Sequence, residues 1–137
     1  MILVSACLVG EKCKYNGEDN KNEKIIEFLK DKEYITVCPE TMGGLPTPRP
    51  PSEIKGDLVF NSEGKDVTSN FLKGAEETLK IAKENNVDLV ILKAKSPSCG
   101  YGQIYDGSFK GQLIKGNGIT CKVLIENGYK VLTEKEF

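Results

Sequence analysis

Asp88-Leu89-Val90-Ile91-Leu92-Lys93 is the stretch that decides the fold. Four apolar residues in a row, closed by a charge at each end, are too few for a buried helix. They lack the polar alternation of a half-exposed strand, so they read as a short strand covered on both faces, the kind found in parallel sheets. Parallel strands need long crossovers, and helical patterns stand on both sides of this one. Upstream, Thr68 or Ser69 can cap a helix whose Phe71, Ala75, Leu79 and Ala82 recur every three to four residues. Downstream, Gly118 to Asn127 reads as a final helix ended by Gly128, and Tyr129 to Leu132 as a last strand.

The N-terminal part repeats the alternation. Ile2-Leu3-Val4-Ser5 is a buried first strand, Ile25, Ile26 and Leu29 mark an amphipathic helix between Asn20 and Lys32, and Tyr34 to Cys38 is a second β-rich run closed by Pro39. From Pro39 to Pro51 the chain carries five of its six prolines together with Gly43 and Gly44, which predicts an ordered loop serving as lid or wall of a site. Leu58-Val59-Phe60 and Lys65-Asp66-Val67 flank Asn61-Ser62-Glu63-Gly64 as arms of a hairpin, and Ser96 to Gly111 reads as a polar loop. Strands alternating with helices predict a three-layer α/β fold: a Rossmann-like, mostly parallel sheet with helices on both faces, in one domain spanning residues 1–137.

Bulk properties narrow the function. The 19 Lys and Arg nearly balance 20 Asp and Glu, which argues against a nucleic-acid partner, and no apolar run approaches membrane-spanning length. With neither a membrane segment nor a signal-peptide pattern, a cytoplasmic setting is expected, where thiols stay reduced. The five cysteines are then ligands, nucleophiles or buried small hydrophobes rather than a disulfide framework. Histidine is absent, which removes Ser-His-Asp and Cys-His catalysis and leaves proton transfer to carboxylates, lysines, tyrosines or thiols.

The cysteines are placed in a telling way. Cys7 follows the first strand, Cys38 closes the second, and Cys99 lies in the loop after the strand of Leu89 to Leu92. Loops beyond the carboxyl ends of parallel strands converge on one edge, where ligands bind, so thiols distant in sequence meet there. Cys13 shares the first loop with Cys7, whereas Cys121 falls inside the last helix, where core packing explains it. Three or four thiolates hold either zinc or an iron-sulfur cluster; Cys-x5-Cys with two dispersed cysteines lacks the close pairs of a zinc ribbon, and no Cys-x-x-Cys suggests a dithiol redox protein. Three ligands on a four-iron cluster would leave one iron open. Beside the thiols, Glu40 in Cys38-Pro39-Glu40 is placed as an acid or base, and Ser96 and Ser98 flank Cys99 as hydroxyls for substrate, water or cluster sulfur. Tyr15, Tyr101, Tyr105 and Phe109 offer faces on which a flat ring can stack.

Taken together, Ser5-Ala6-Cys7-Leu8-Val9-Gly10, Cys13-Lys14-Tyr15-Asn16-Gly17, Cys38-Pro39-Glu40 running to Gly44-Leu45-Pro46-Thr47-Pro48-Arg49, Asp66-Val67-Thr68, Ser96-Pro97-Ser98-Cys99-Gly100 and Tyr105-Asp106-Gly107 resemble the thiouracil desulfidase family of small bacterial and archaeal proteins. The resemblance covers nearly the whole chain. It implies a 4Fe-4S cluster held by Cys7, Cys38 and Cys99, with substrate sulfur taken by the open iron and uracil released from 2- or 4-thiouracil without net redox change. It implies Glu40 and Ser96 as the residues that move protons and activate water, and a small thiolated pyrimidine as the partner. Lys14 and Asn16 stand where the family more often shows Arg and Asp. A non-catalytic zinc or iron-sulfur module that carries sulfur or senses oxygen is the competing reading, and monomer and homodimer are both open.

Overall fold

A computed structural model describes residues 1–137. Its centre is a four-stranded sheet built from β1 (Ile2–Ser5), β2 (Tyr34–Val37), β5 (Leu89–Leu92) and β8 (Val131–Thr133), in the order β2-β1-β5-β8. All three pairings are parallel, with Val4 opposite both Thr36 and Ile91. Successive residues of each central strand face opposite layers, and both layers are apolar. Ile2, Val4 and Ile91 pack with Leu8, Ile25 and Leu29 on the side of helix α1 (Glu23–Leu29). Leu3, Val90 and Leu92 pack with Ala82, Cys121 and Leu124 on the side of α3 (Thr68–Glu84) and α4 (Ile119–Glu126). This two-sided burial is why Leu89 to Leu92 shows no polar alternation, and it matches the predicted three-layer fold. No helix is long and apolar enough to cross a membrane.

Several elements differ from expectation. Helix α1 is shorter than residues 20–32, because Asn22 caps it by accepting from the Ile25 amide. The Pro-rich stretch opens with a helical turn, α2 (Pro39–Met42), in which Pro39 takes the first position, where its missing N–H costs nothing. The hairpin pairs β3 (Ser52–Lys55) with β4 (Leu58–Asn61) across a tight turn at Gly56; the expected partner, residues 65–67, keeps only a single bridge, Phe60 to Asp66. Neither Thr68 nor Ser69 caps α3. The Thr68 hydroxyl instead accepts from the Val59 amide, while the Asp66 carboxylate takes the Thr68 amide. The stretch read as polar loop contains β6 (Gln103–Tyr105), which pairs with β7 (Leu113–Lys115). A third apolar cluster, Ile54, Val59, Val67, Phe71 and Ile104, fastens both hairpins to the start of α3.

One contact sets the position of α2. A Cβ on Gly74 of α3 would overlap the Pro39 carbonyl, and one on Gly43 would overlap the Asn70 carbonyl. The two helices therefore meet backbone against backbone, and the Asn70 amide donates to the Gly43 carbonyl at 2.9 Å. Gly74→Ala tests this contact. Alanine gains about 1 kcal/mol of helix propensity over glycine, but two backbones cannot yield as side chains do, and overpacking costs about 1–3 kcal/mol or more. A net loss of about 2 kcal/mol is expected, read as a lower midpoint in urea unfolding; an unchanged or higher midpoint would show that α2 moves freely.

Candidate functional site

The order β2-β1-β5-β8 reverses direction between β1 and β5, and in such sheets the crevice outside the carboxyl ends at that point is the place for a ligand. Here it is a cavity of about 520 Å³, within the usual range for small-molecule sites. Its wall includes Cys7, Cys13, Cys38 and Cys99, together with Glu40, Ser96 and Ser98. Each candidate from the sequence except Tyr101 thus reaches one chamber, and Cys121, read as core packing, is fully buried in the core beside Leu124.

Three connections place the thiols. Cys7 sits in the 3-10 turn Ala6–Val9 that ends β1, and Cys38 precedes the first turn of α2 at the end of β2. Cys99 follows β5 in a turn organised by the Ser96 hydroxyl, which accepts from the Ser98 and Cys99 amides, both at 3.1 Å. That turn is welded to α4: the Ser98 carbonyl accepts from the Thr120 and Cys121 amides, and a Cβ on Gly118 would collide with the Ser98 backbone. Ser5, buried at the end of β1, accepts from the Lys93 amide at 3.0 Å and donates to the Cys99 sulfur at 3.5 Å. One hydroxyl therefore ties the two strands that flank the crevice to a thiol in its wall.

The electrostatics of the thiols are uneven. Burial pushes Cys7 above its ordinary value, against a hydrogen bond with Asn20, and pushes Cys99 up to about 12, against hydrogen bonds from Ser5 and Ser98. Cys38 is lowered to about 5, first by a hydrogen bond from the Cys13 thiol and against its own burial, with help from Thr41 and the Arg49 charge. Cys13 is raised by that same bond. In its thiol form Cys38 instead donates to the Cys13 carbonyl, at 3.8 Å.

Glu40 stands between two donors. Its Oε1 accepts from Arg49 Nε at 3.0 Å and its Oε2 from the Ser98 hydroxyl at 3.3 Å. Burial raises the carboxyl above its usual range, and the Arg49 guanidinium pulls it back. Ser96 does not touch Glu40; its hydroxyl lies 3.0 Å from that of Ser98, so Ser98 bridges the two. The rest of the Arg49 fork donates to the Pro46 carbonyl, the Thr47 hydroxyl and the Cys13 carbonyl. Lys93, also in the wall, pairs with Glu134 at 2.8 Å, and Glu134 also accepts from the Ala94 amide.

Arg49, Ser5 and the pair Lys93 and Glu134 were not marked as site residues by the sequence pattern. One signal was available: Arg49 is the only arginine in the chain, and planar bidentate recognition is what separates arginine from lysine. Ser5 gave none, since a serine at a strand end is commonplace.

The donor set suits a thiophilic metal group, with thiols and carboxylates and no imidazole. No three Cys, His, Asp or Glu side chains stand close enough to share one metal ion. A single zinc needs its thiolates converging on one centre. A multi-iron cluster takes each thiolate on a separate iron and so fits thiols spread around a chamber wall.

Comparison with known proteins agrees with that geometry. A family model described as 2-thiouracil desulfurase matches residues 2–136. Protein YbbK of Bacillus subtilis (strain 168) is 44% identical over 146 residues, covering 99% of this chain and 97% of its own. The solved structure of the [4Fe-4S]-dependent thiouracil desulfidase TudS superposes with a TM-score of 0.93 at 38% identity, over 99% of this chain and 91% of that one. Sequence and fold match from end to end, and the chain belongs to the 2-thiouracil desulfurase family.

Proposed function

We propose that this chain is a 4Fe-4S-dependent desulfidase that converts 2- or 4-thiouracil to uracil. The observation that carries the reading is the chamber at the sheet reversal, where thiols from three strand ends meet a buried carboxylate held by arginine. Cys7, Cys38 and Cys99 would hold the cluster, since each follows a different strand and is fixed by a separate turn. When bound, the cluster supplies a soft iron site with affinity for sulfur.

The reaction exchanges one sulfur for one oxygen: water adds at the ring carbon, the carbon-sulfur bond breaks, and uracil and hydrogen sulfide leave with no electrons left over. The chain's own residues manage the protons. Glu40 takes one from the attacking water or returns one to a ring nitrogen, within reach of the Ser98 hydroxyl that donates to it. Ser96, linked to Ser98, helps orient the water. Arg49, nine residues further along the chain, holds Glu40 of α2 in the cavity wall. The chamber's volume favours a free base or a similarly small pyrimidine over a nucleic acid, and five thiols outside any disulfide support a cytoplasmic setting.

Anaerobically reconstituted protein should convert 4-thiouracil to uracil and sulfide in equal amounts, followed by loss of the thione absorbance; a fully loaded protein that yields neither would exclude this substrate class. Replacing Cys7, Cys38 or Cys99 singly by serine should remove most bound iron, whereas Cys13→Ser and Cys121→Ala should retain it. Iron analysis after reconstitution decides, and retention in Cys7→Ser with loss in Cys13→Ser would reassign the first ligand. Glu40→Gln should keep its iron and lower kcat about 10²–10⁴-fold. Arg49→Ala leaves a buried carboxylate without its partner and should cost about 3 kcal/mol in urea unfolding. Part of that loss should return in the double variant with Glu40→Gln, and strict additivity would show that the pair is not coupled.

A further inference from the structure

Phe109 is hard to explain by packing. Its backbone lies at φ +58°, in the left-handed region that bulky residues avoid, and the residue is 39% exposed. It belongs to none of the three apolar clusters. It does line the cavity, as Tyr15 and Tyr105 do.

Specific bonds keep it there. Residues 106–112 connect β6 to β7, and the loop is closed by the Asp106 amide donating to the Gln112 carbonyl at 3.0 Å. A single oxygen, Glu53 Oε1 on β3, accepts from both the Gly107 and the Phe109 amides at 3.1 Å. Gly107 lies so close to β3 that a Cβ there would stand 2.8 Å from Lys55 Cβ and 2.9 Å from the Ile54 carbonyl oxygen. The loop is therefore strapped flat onto the β3-β4 hairpin, and the double acceptor holds Phe109 in a conformation that costs free energy. Backbone strain that is held in place and leaves a partly exposed aromatic residue in a cavity wall points to a ligand.

We propose that Phe109 is a specificity-determining residue whose ring stacks on the flat pyrimidine, and that Glu53 is a positioning residue that holds it there. The proposal rests on the reading of this chamber as a thiolated-pyrimidine site. Stacking selects planarity: an aromatic base presents a face to the ring, whereas a saturated analogue is puckered and meets it poorly. Because the contact is made equally before and during the reaction, it acts on KM rather than kcat.

Calorimetry on the reconstituted protein with uracil, the unreactive product, and dihydrouracil, its puckered analogue, tests this. Steady-state kinetics with 4-thiouracil run beside it, with iron content and circular dichroism checked for every variant. Phe109→Leu should weaken uracil binding and raise KM about tenfold, with dihydrouracil affinity and kcat unchanged. Phe109→Tyr should restore both values. Glu53→Ala should imitate Phe109→Leu, while Glu53→Gln, whose amide oxygen still accepts from both N–H groups, should behave as wild type. If loaded wild type converts 4-thiouracil and Phe109→Leu matches its KM and uracil affinity, the stacking role is overturned while the chamber's assignment survives. If Phe109→Leu shows the expected loss but Glu53→Ala does not, Glu53 is no positioning residue. If loaded wild type neither converts thiouracil nor binds uracil, the assignment of the chamber falls and the proposal with it.

Discussion

The Ser5 hydroxyl is the tie on which the site depends. At the sheet reversal β1 and β5 lead into connections that run opposite ways, and the edge between them would leave the Lys93 N–H without a strand partner. Ser5 accepts that N–H and passes its own proton toward the Cys99 sulfur. An unsatisfied buried donor costs about 1–3 kcal/mol, so the bond stabilises the edge as well as the thiol. The sheet's geometry reaches Cys99 through this oxygen, while the Ser96 hydroxyl and the α4 amides hold the turn that carries it.

Around the tie, charge is arranged in two ion pairs, each with at least one member in the cavity wall. Arg49 with Glu40 steadies the side formed by the Pro-rich stretch, and Lys93 with Glu134 steadies the side formed by the last residues of the chain. Enclosed ion pairs contribute little net stability because desolvation offsets their attraction. Their value here is positional. Each carboxylate also takes a second donor, the Ser98 hydroxyl for Glu40 and the Ala94 amide for Glu134, so each pins a backbone or loop as well as a charge.

The sheet was legible in the sequence because burial on both faces leaves an unbroken apolar run, as at Leu89 to Leu92, and few other structures write that pattern. The thiols were legible for a related reason, since strand ends in a parallel sheet share one edge. The β6-β7 hairpin was not: Leu113, Ile114 and Lys115 are all exposed, so no burial pattern marks them as a strand. The β3-β4 pairing was obscured by prolines before Ser52, while the visible turn at Asn61 to Gly64 drew attention to the wrong side of Leu58 to Phe60. Glu40 and Ser96 were readable through their cysteine neighbours. That Ser98 stands between them, and that Arg49 holds the far side of Glu40 and also reaches the Cys13 loop, depends on contacts across distant segments that no local pattern encodes.

The backbone meeting of Gly43 and Gly74 carries a consequence for how such a chain can change over time. Since α2 meets α3 peptide group against peptide group, with the Asn70 amide as the side chain that fastens the contact, the gap between Glu40 and the thiols is gauged largely by atoms common to all residues. The outward face of α3, where Lys73, Glu76, Glu77 and Lys80 are exposed, is free to drift without altering that gauge. At this contact two positions, Gly43 and Gly74, are confined to the smallest residue if the chamber is to keep its calibre.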